Sequence, residues 1–112
     1  MAKAIKMQRK CTLILYGGQN KMYTPYPTKR YEKSFIKLKH SGKFNEIELN
    51  KVINILASGE KLGSSYQDHP LHGEYMGLRE CHVRGDILLI YEKDEEKMLI
   101  TLVNIGNHSE LF

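Results

Sequence analysis

The sequence is poor in the features that would place it quickly: two cysteines, three prolines, no tryptophan and no long apolar run in 112 residues. Cys11 and Cys81 lack the paired spacing of a zinc site, and two isolated thiols build no disulfide framework, which points to a reducing, cytosolic setting. Cys81 and His82 are adjacent, so on a strand they point to opposite faces and cannot share a metal without distorting the backbone. No metal or cofactor site is expected. Lys3, Lys6, Arg9 and Lys10 precede the apolar stretch Cys11 to Tyr16 in the manner of a signal peptide, but that stretch is too short for an h-region or a membrane span. There is no phosphate-cradling glycine loop, no Gly-x-Ser-x-Gly elbow, no internal repeat and no low-complexity tract.

What is present is enough for one domain with its own core. The net charge of +4 invites a nucleic-acid argument, yet its distribution weakens it. Residues 1–21 hold five basic groups and no acid, leaving 12 basic against 13 acidic groups in the remainder. The informative feature is local: Lys29, Arg30, Lys33, Lys37, Lys39 and Lys43 stand together with Glu32 alone among them. A basic helix face is ordinarily just a solvated one.

The N-terminal stretch invites a separate expectation. Gly17-Gly18 must be encoded by GGN-GGN three codons upstream of Met22, where a purine-rich ribosome-binding site would sit. Residues 1–21 are therefore expected to be a non-native or mis-called extension, with the domain spanning 22–112; the competing expectation is an edge strand at Thr12 to Tyr16.

Tyr23 to Tyr26, with Pro25 and Pro27, reads as extended and at best an edge strand, because proline cannot donate to a ladder. Tyr31, Phe35 and Leu38 recur at helical spacing between Thr28, a cap, and Ser41-Gly42, a stop, predicting a helix over about 29–40. A second helix is specified by Asn45 as N-cap, Glu48 at N3 for a capping box, Phe44 as a staple to Leu49, the stripe Leu49, Val52, Ile53, Leu56, and Gly59 as terminator. From Glu60 to Gly77 turn formers dominate and a long loop is expected. Strands follow at Leu78 to Arg84, Ile87 to Glu92 and Lys97 to Asn104, linked tightly enough to be antiparallel neighbours. The expected fold is α+β: two N-terminal helices packed on one face of an antiparallel sheet with a C-terminal three-strand meander.

Alternation puts Arg79, Cys81 and Val83 on the helix-covered face and Leu78, Glu80, His82 and Arg84 on the other. His69 lies in the loop feeding this sheet, Asp86 opens the next strand, and His108 follows the last. Three imidazoles on loops and one open face suit RNA cleavage by its own 2′-hydroxyl. A base takes that proton, an acid protonates the departing 5′-oxygen, and a cation or donor steadies the phosphorane. Histidine serves either proton role near neutrality, each worth about 10²- to 10⁴-fold. Asp86 is a candidate to orient a histidine, and Arg79 or Arg84 to meet phosphate. His40 and His72 gain no partner from spacing.

The ordered strings Tyr66-Gln67-Asp68-His69-Pro70-Leu71-His72-Gly73, Gly77-Leu78-Arg79-Glu80-Cys81-His82-Val83, Asp86 with Leu89-Ile90-Tyr91, and Gly106-Asn107-His108-Ser109-Glu110-Leu111-Phe112 resemble the YafQ branch of the RelE superfamily of mRNA interferase toxins, over about residues 22–112. The resemblance implies a RelE-like fold, ribosome-dependent mRNA cleavage in the cytoplasm, and neutralisation by a cognate DinJ-type antitoxin, with operator DNA bound only by the toxin-antitoxin complex. It implies catalytic roles for His69, His82, Asp86 and His108, a C-terminal aromatic at Phe112, and a family acid at Glu80. Two positions depart from the family: Asn104 stands where an arginine is usual, and Ile87 where some members have tryptophan. Loss of the arginine's fixed charge implies reduced activity. The alternative from another class is a weakly catalytic module that binds the ribosome or acts with its antitoxin in repression.

Overall fold

The computed structural model describes residues 22–42 and 44–112; Cys11 and the expectations for the N-terminal 21 residues lie outside them. Strand β1, Thr24–Pro27, leads into helix α1, Lys29–Ser41, and helix α2, Glu46–Ala57. A long connection carries a two-residue strand β2, His69–Pro70, between 3-10 turns at Ser64–Tyr66 and Gly73–Tyr75. Strands β3, Arg79–Arg84, β4, Ile87–Asp94, and β5, Leu99–Asn107, form the meander, and a short helix α3, His108–Leu111, follows.

The helices begin where their caps dictate. Thr28 accepts from the Tyr31 amide through Oγ1 at 3.1 Å, while the same hydroxyl lies 2.9 Å from the Leu102 carbonyl oxygen, so the cap also pins α1 to β5. Asn45 Oδ1 accepts from the Ile47 and Glu48 amides at 3.0 and 3.2 Å. The reciprocal half of the expected capping box is replaced by ion pairs: Glu48 lies 3.6 Å from both Lys51 and Arg84. Phe44 meets Phe35 edge-on at 5.6 Å, which ties the helix hairpin together. Gly59 closes α2 at φ +86, a backbone hand that calls for glycine, and a Cβ there would also press on the Met22 side chain.

The sheet order is β1-β5-β4-β3-β2. Its last four strands are antiparallel, but β1 runs parallel to β5, correcting the expectation of a wholly antiparallel sheet. Short links force antiparallel pairing only between consecutive strands, and β1 and β5 are joined by the rest of the domain. Tyr31, Leu49, Val52, Ile53 and Leu56 from the helices pack with Cys81, Val83, Leu89, Tyr91, Ile100, Leu102 and Ile105 from the sheet. The α2 stripe is therefore the one the sequence specified, and Cys81 and Val83 face the helices. Burial pushes the Cys81 thiol up to about 12, aided by the charges of Asp68 and Glu80, so it stays protonated and unreactive near neutrality.

The opposite face is not bare. Leu88 and Ile90, opposite His82 and Glu80 respectively, are only 4% exposed. Gly106 pairs with Leu88 on the other side, and a Cβ on it would meet Glu110 Oε1 at 2.9 Å and Leu111 Cδ2 at 3.5 Å. α3 thus packs back against Gly106 on this second face.

Candidate functional site

The second face carries the titratable residues. His69 on β2 is the register partner of Glu80 on β3, and the two side chains meet, Nε2 to Oε1, at 3.0 Å. The His69 Nδ1 lies 2.6 Å from the Gln67 carbonyl oxygen, so both ring nitrogens face acceptors. The imidazole is thus oriented through both of its nitrogens. Glu80 is buried at 6% exposure and its Oε2 has no hydrogen-bond partner, an expensive state for a carboxylate in a fold that otherwise pairs its buried groups.

His82 is half-buried two positions further along β3 on the same face as Glu80. Its cross-strand neighbour is Leu88, whose own partner on β5 is Gly106. Two strand spacings, roughly 10 Å, therefore separate the His82 and Gly106 backbones. His108 follows Gly106 by two residues and opens α3, which a full capping box holds: Asn107 accepts from the Glu110 amide at 2.9 Å and Glu110 accepts from the Asn107 amide at 3.1 Å. The Phe112 ring sits 5.1 Å from His108 and meets Tyr75, from the long connection, edge-on at 5.3 Å. The long connection and the C-terminal segment thus meet through Tyr75 and Phe112.

Other candidates are placed elsewhere. Arg79 points to the helix-covered side and is committed to Asp68, with Nε and Nη2 donating at 3.3 and 3.2 Å. Asp68 also accepts from the Tyr91 hydroxyl at 2.6 Å. The hydrogen bond to Asp68 raises the Arg79 pKa further, and burial, followed by its own hydrogen bond to Asp68, raises Tyr91. Arg79 thereby anchors the loop that carries Asp68. Arg84 was assigned by alternation to the face of His82, but the register shifts between them and the guanidinium reaches Glu48 on α2, 3.6 Å away. A bulge re-aims whatever follows it. Asp86 stands exposed in the β3-β4 turn and lines an open groove of about 920 Å³ with Arg84, Asn107 and Glu110. The pairing of Ile87 with Asn107 puts it at the same sheet end as His108, not beside the His69-Glu80 pair. Asn104 lies at a second register shift, and its Oδ1 accepts from Ser34 of α1 at 2.6 Å.

β2 and α3, and with them the Tyr75 contact, are not expected from the residue pattern. The Asn107-x-x-Glu110 capping box was the available signal for α3. Nothing comparable marked a two-residue strand.

Residues 23–112 match the family described as the bacterial toxin of type II toxin-antitoxin system, YafQ. The mRNA interferase toxin YafQ of Escherichia coli K12 is 39% identical over 51 residues, 46% of this chain and 53% of that protein. The matched segments span only 53% to 62% of the length of such curated relatives. A metal-bound toxin from Helicobacter pylori is similar in structure, with a TM-score of 0.73 and 37% identity across 81% of this chain and 100% of that one. The E. coli DinJ-YafQ toxin-antitoxin complex gives a TM-score of 0.70 at 28% identity, across 81% of this chain and 98% of its counterpart. Among the described residues no three of His, Cys, Asp and Glu gather in one place.

Proposed function

Because the chain belongs to the YafQ family of type II toxin-antitoxin toxins, we propose that it is an mRNA interferase that cuts ribosome-bound message by attack of the ribose 2′-hydroxyl, with histidines moving the protons. The carrying observation is that His69 with Glu80, His82, and α3 bearing His108 all lie over one face of the meander. His69, oriented between the Gln67 carbonyl and the Glu80 carboxyl, is assigned protonation of the departing 5′-oxygen. His82 and His108 divide removal of the 2′-proton and support of the phosphorane. Phe112, 48% exposed, offers an aromatic surface to a base. No step needs a metal.

Cationic help for the phosphorane is thin, since Arg79 is bound to Asp68 and Arg84 is drawn toward Glu48 on α2. Asn104 donates at most a neutral hydrogen bond where the family supplies arginine. Asn104→Arg is therefore expected to raise the cleavage rate about tenfold or more, a conservative share of the 10² to 10³ that one electrostatic donor commands. An unchanged or slower rate contradicts this assignment of position 104. The assay is cleavage of defined message on programmed ribosomes by purified protein. Uncut message with the unaltered protein points instead to a binding module.

The DinJ-YafQ complex supports an antitoxin of DinJ type as the protein partner. On the outer side of α1, Lys29, Arg30 and Lys33 are exposed and Lys37 reaches only a loose 3.8 Å pairing with Glu110, leaving a cationic stripe for RNA of the ribosome or for that partner.

A further inference from the structure

The chain's long connection and its last helix meet at Tyr75, which has had no role so far. Tyr75 ends a 3-10 turn in which its amide donates to the His72 carbonyl at 3.2 Å and its own carbonyl accepts from Leu78 at 3.1 Å. Leu71 in turn donates to the Leu78 carbonyl at 2.9 Å, closing the loop against the start of β3. The backbone bends at Gly73, φ +66, and Gly77, φ +97, are conformations glycine adopts without strain. The turn is thus a fixed mount, and its ring is half-buried against Phe112 at 5.3 Å and 85°. Phe112 passes the contact to His108 at 5.1 Å.

α3 has only four residues, too few to hold itself by helical hydrogen bonds. Its inner side is fixed by the capping box and by Gly106. Its far end is steadied by the ring contact with Tyr75.

We propose that Tyr75 is a positioning residue: its ring clamps Phe112 and, through it, fixes the orientation of the His108 imidazole. The assignment rests on the nuclease function proposed above. A displacement of about 1 Å at a catalytic group can cost 10²-fold, so Tyr75→Ala is expected to lower kcat about 10- to 100-fold while KM changes less than about threefold. Tyr75→Phe keeps the ring edge and restores kcat to within about twofold, because the hydroxyl takes no part. Tyr75→Leu, which keeps apolar bulk in the turn but has no ring, behaves like the alanine variant and guards against simple unfolding. Tyr75→Ala adds nothing to Phe112→Ala, since it acts through that ring.

His108 imidazole proton shifts and their pH titration, followed by NMR, read the same clamp without turnover. They move in Tyr75→Ala and return in Tyr75→Phe. A Tyr75→Ala protein within about twofold of the parent, a Tyr75→Phe protein as defective as alanine, or losses that multiply in the double variant overturn the proposal. If the unaltered protein cuts no message, the nuclease function fails by itself, and the His108 resonances still decide the clamp: unchanged shifts in Tyr75→Ala overturn it, and displaced ones sustain it.

Discussion

Replacing His82 with alanine lowers cleavage of ribosome-bound message by about 10²- to 10⁴-fold, the contribution of one positioned proton-transfer group, while the melting profile stays close to that of the parent. His82 is half-buried and lies outside the main core, so its loss leaves no large cavity. The same substitution at His69 costs as much in rate but also leaves buried Glu80 with neither oxygen satisfied, so it shifts stability as well. His108→Ala sits between them, since α3 keeps its capping box and Gly106 contact but loses one ring of the Tyr75-Phe112-His108 series. Single-turnover rates on programmed ribosomes, paired with circular-dichroism melts, separate these cases. Three variants that all cut at the parent rate would place the chemistry elsewhere.

Asp68→Ala produces the largest expected loss of stability, about 2–3 kcal/mol. It removes the acceptor of two Arg79 donors and of the Tyr91 hydroxyl, which is otherwise enclosed by core side chains. Hydrogen bonds to charged partners contribute about 1.5–3 kcal/mol net, and the partly exposed Arg79 recovers some hydration, which keeps the figure below that of a broken buried pair. Urea unfolding measures it, and an effect below about 0.5 kcal/mol contradicts the anchoring role. Because Asp68 immediately precedes His69, cleavage falls with stability.

The same region sets the alkaline limit. Cys81 is raised from 9.0 to about 12 by burial, and Tyr91 is raised by burial and by Asp68, so the folded state holds both protons more tightly than the unfolded chain. Their stabilising contribution is complete below about pH 9 and is lost progressively as pH rises toward 12.

Local physics made the helices legible. Thr28, Asn45 and Gly59 act through groups a few residues away, and the Leu49, Val52, Ile53, Leu56 stripe has one period to obey. Alternation on β3 likewise assigned Cys81, Val83 and His82 to their faces. What alternation could not carry was a register shift, and Arg84 was misplaced because the bulge after His82 turns it toward Glu48. The parallel pairing of β1 with β5 was equally out of reach, since no turn connects them. Arg79 shows a different limit. Its face was read correctly, but its partner Asp68 lies 11 residues earlier in a stretch without periodicity, where only the folded chain reveals the pairing. His69, His82 and His108 became candidates through residue chemistry and family likeness. Their shared face depends on α3 folding back over Gly106, which demanded coordinates.

Use of the ribose hydroxyl as nucleophile is tested most directly by a programmed ribosome carrying message with one 2′-deoxynucleotide on the 5′ side of the cleaved bond. Unsubstituted message is expected to yield a 2′,3′-cyclic phosphate and a 5′-hydroxyl end, and the deoxy message to remain whole at that bond. Cleavage of both at equal rates would contradict histidine-driven attack by the 2′-oxygen.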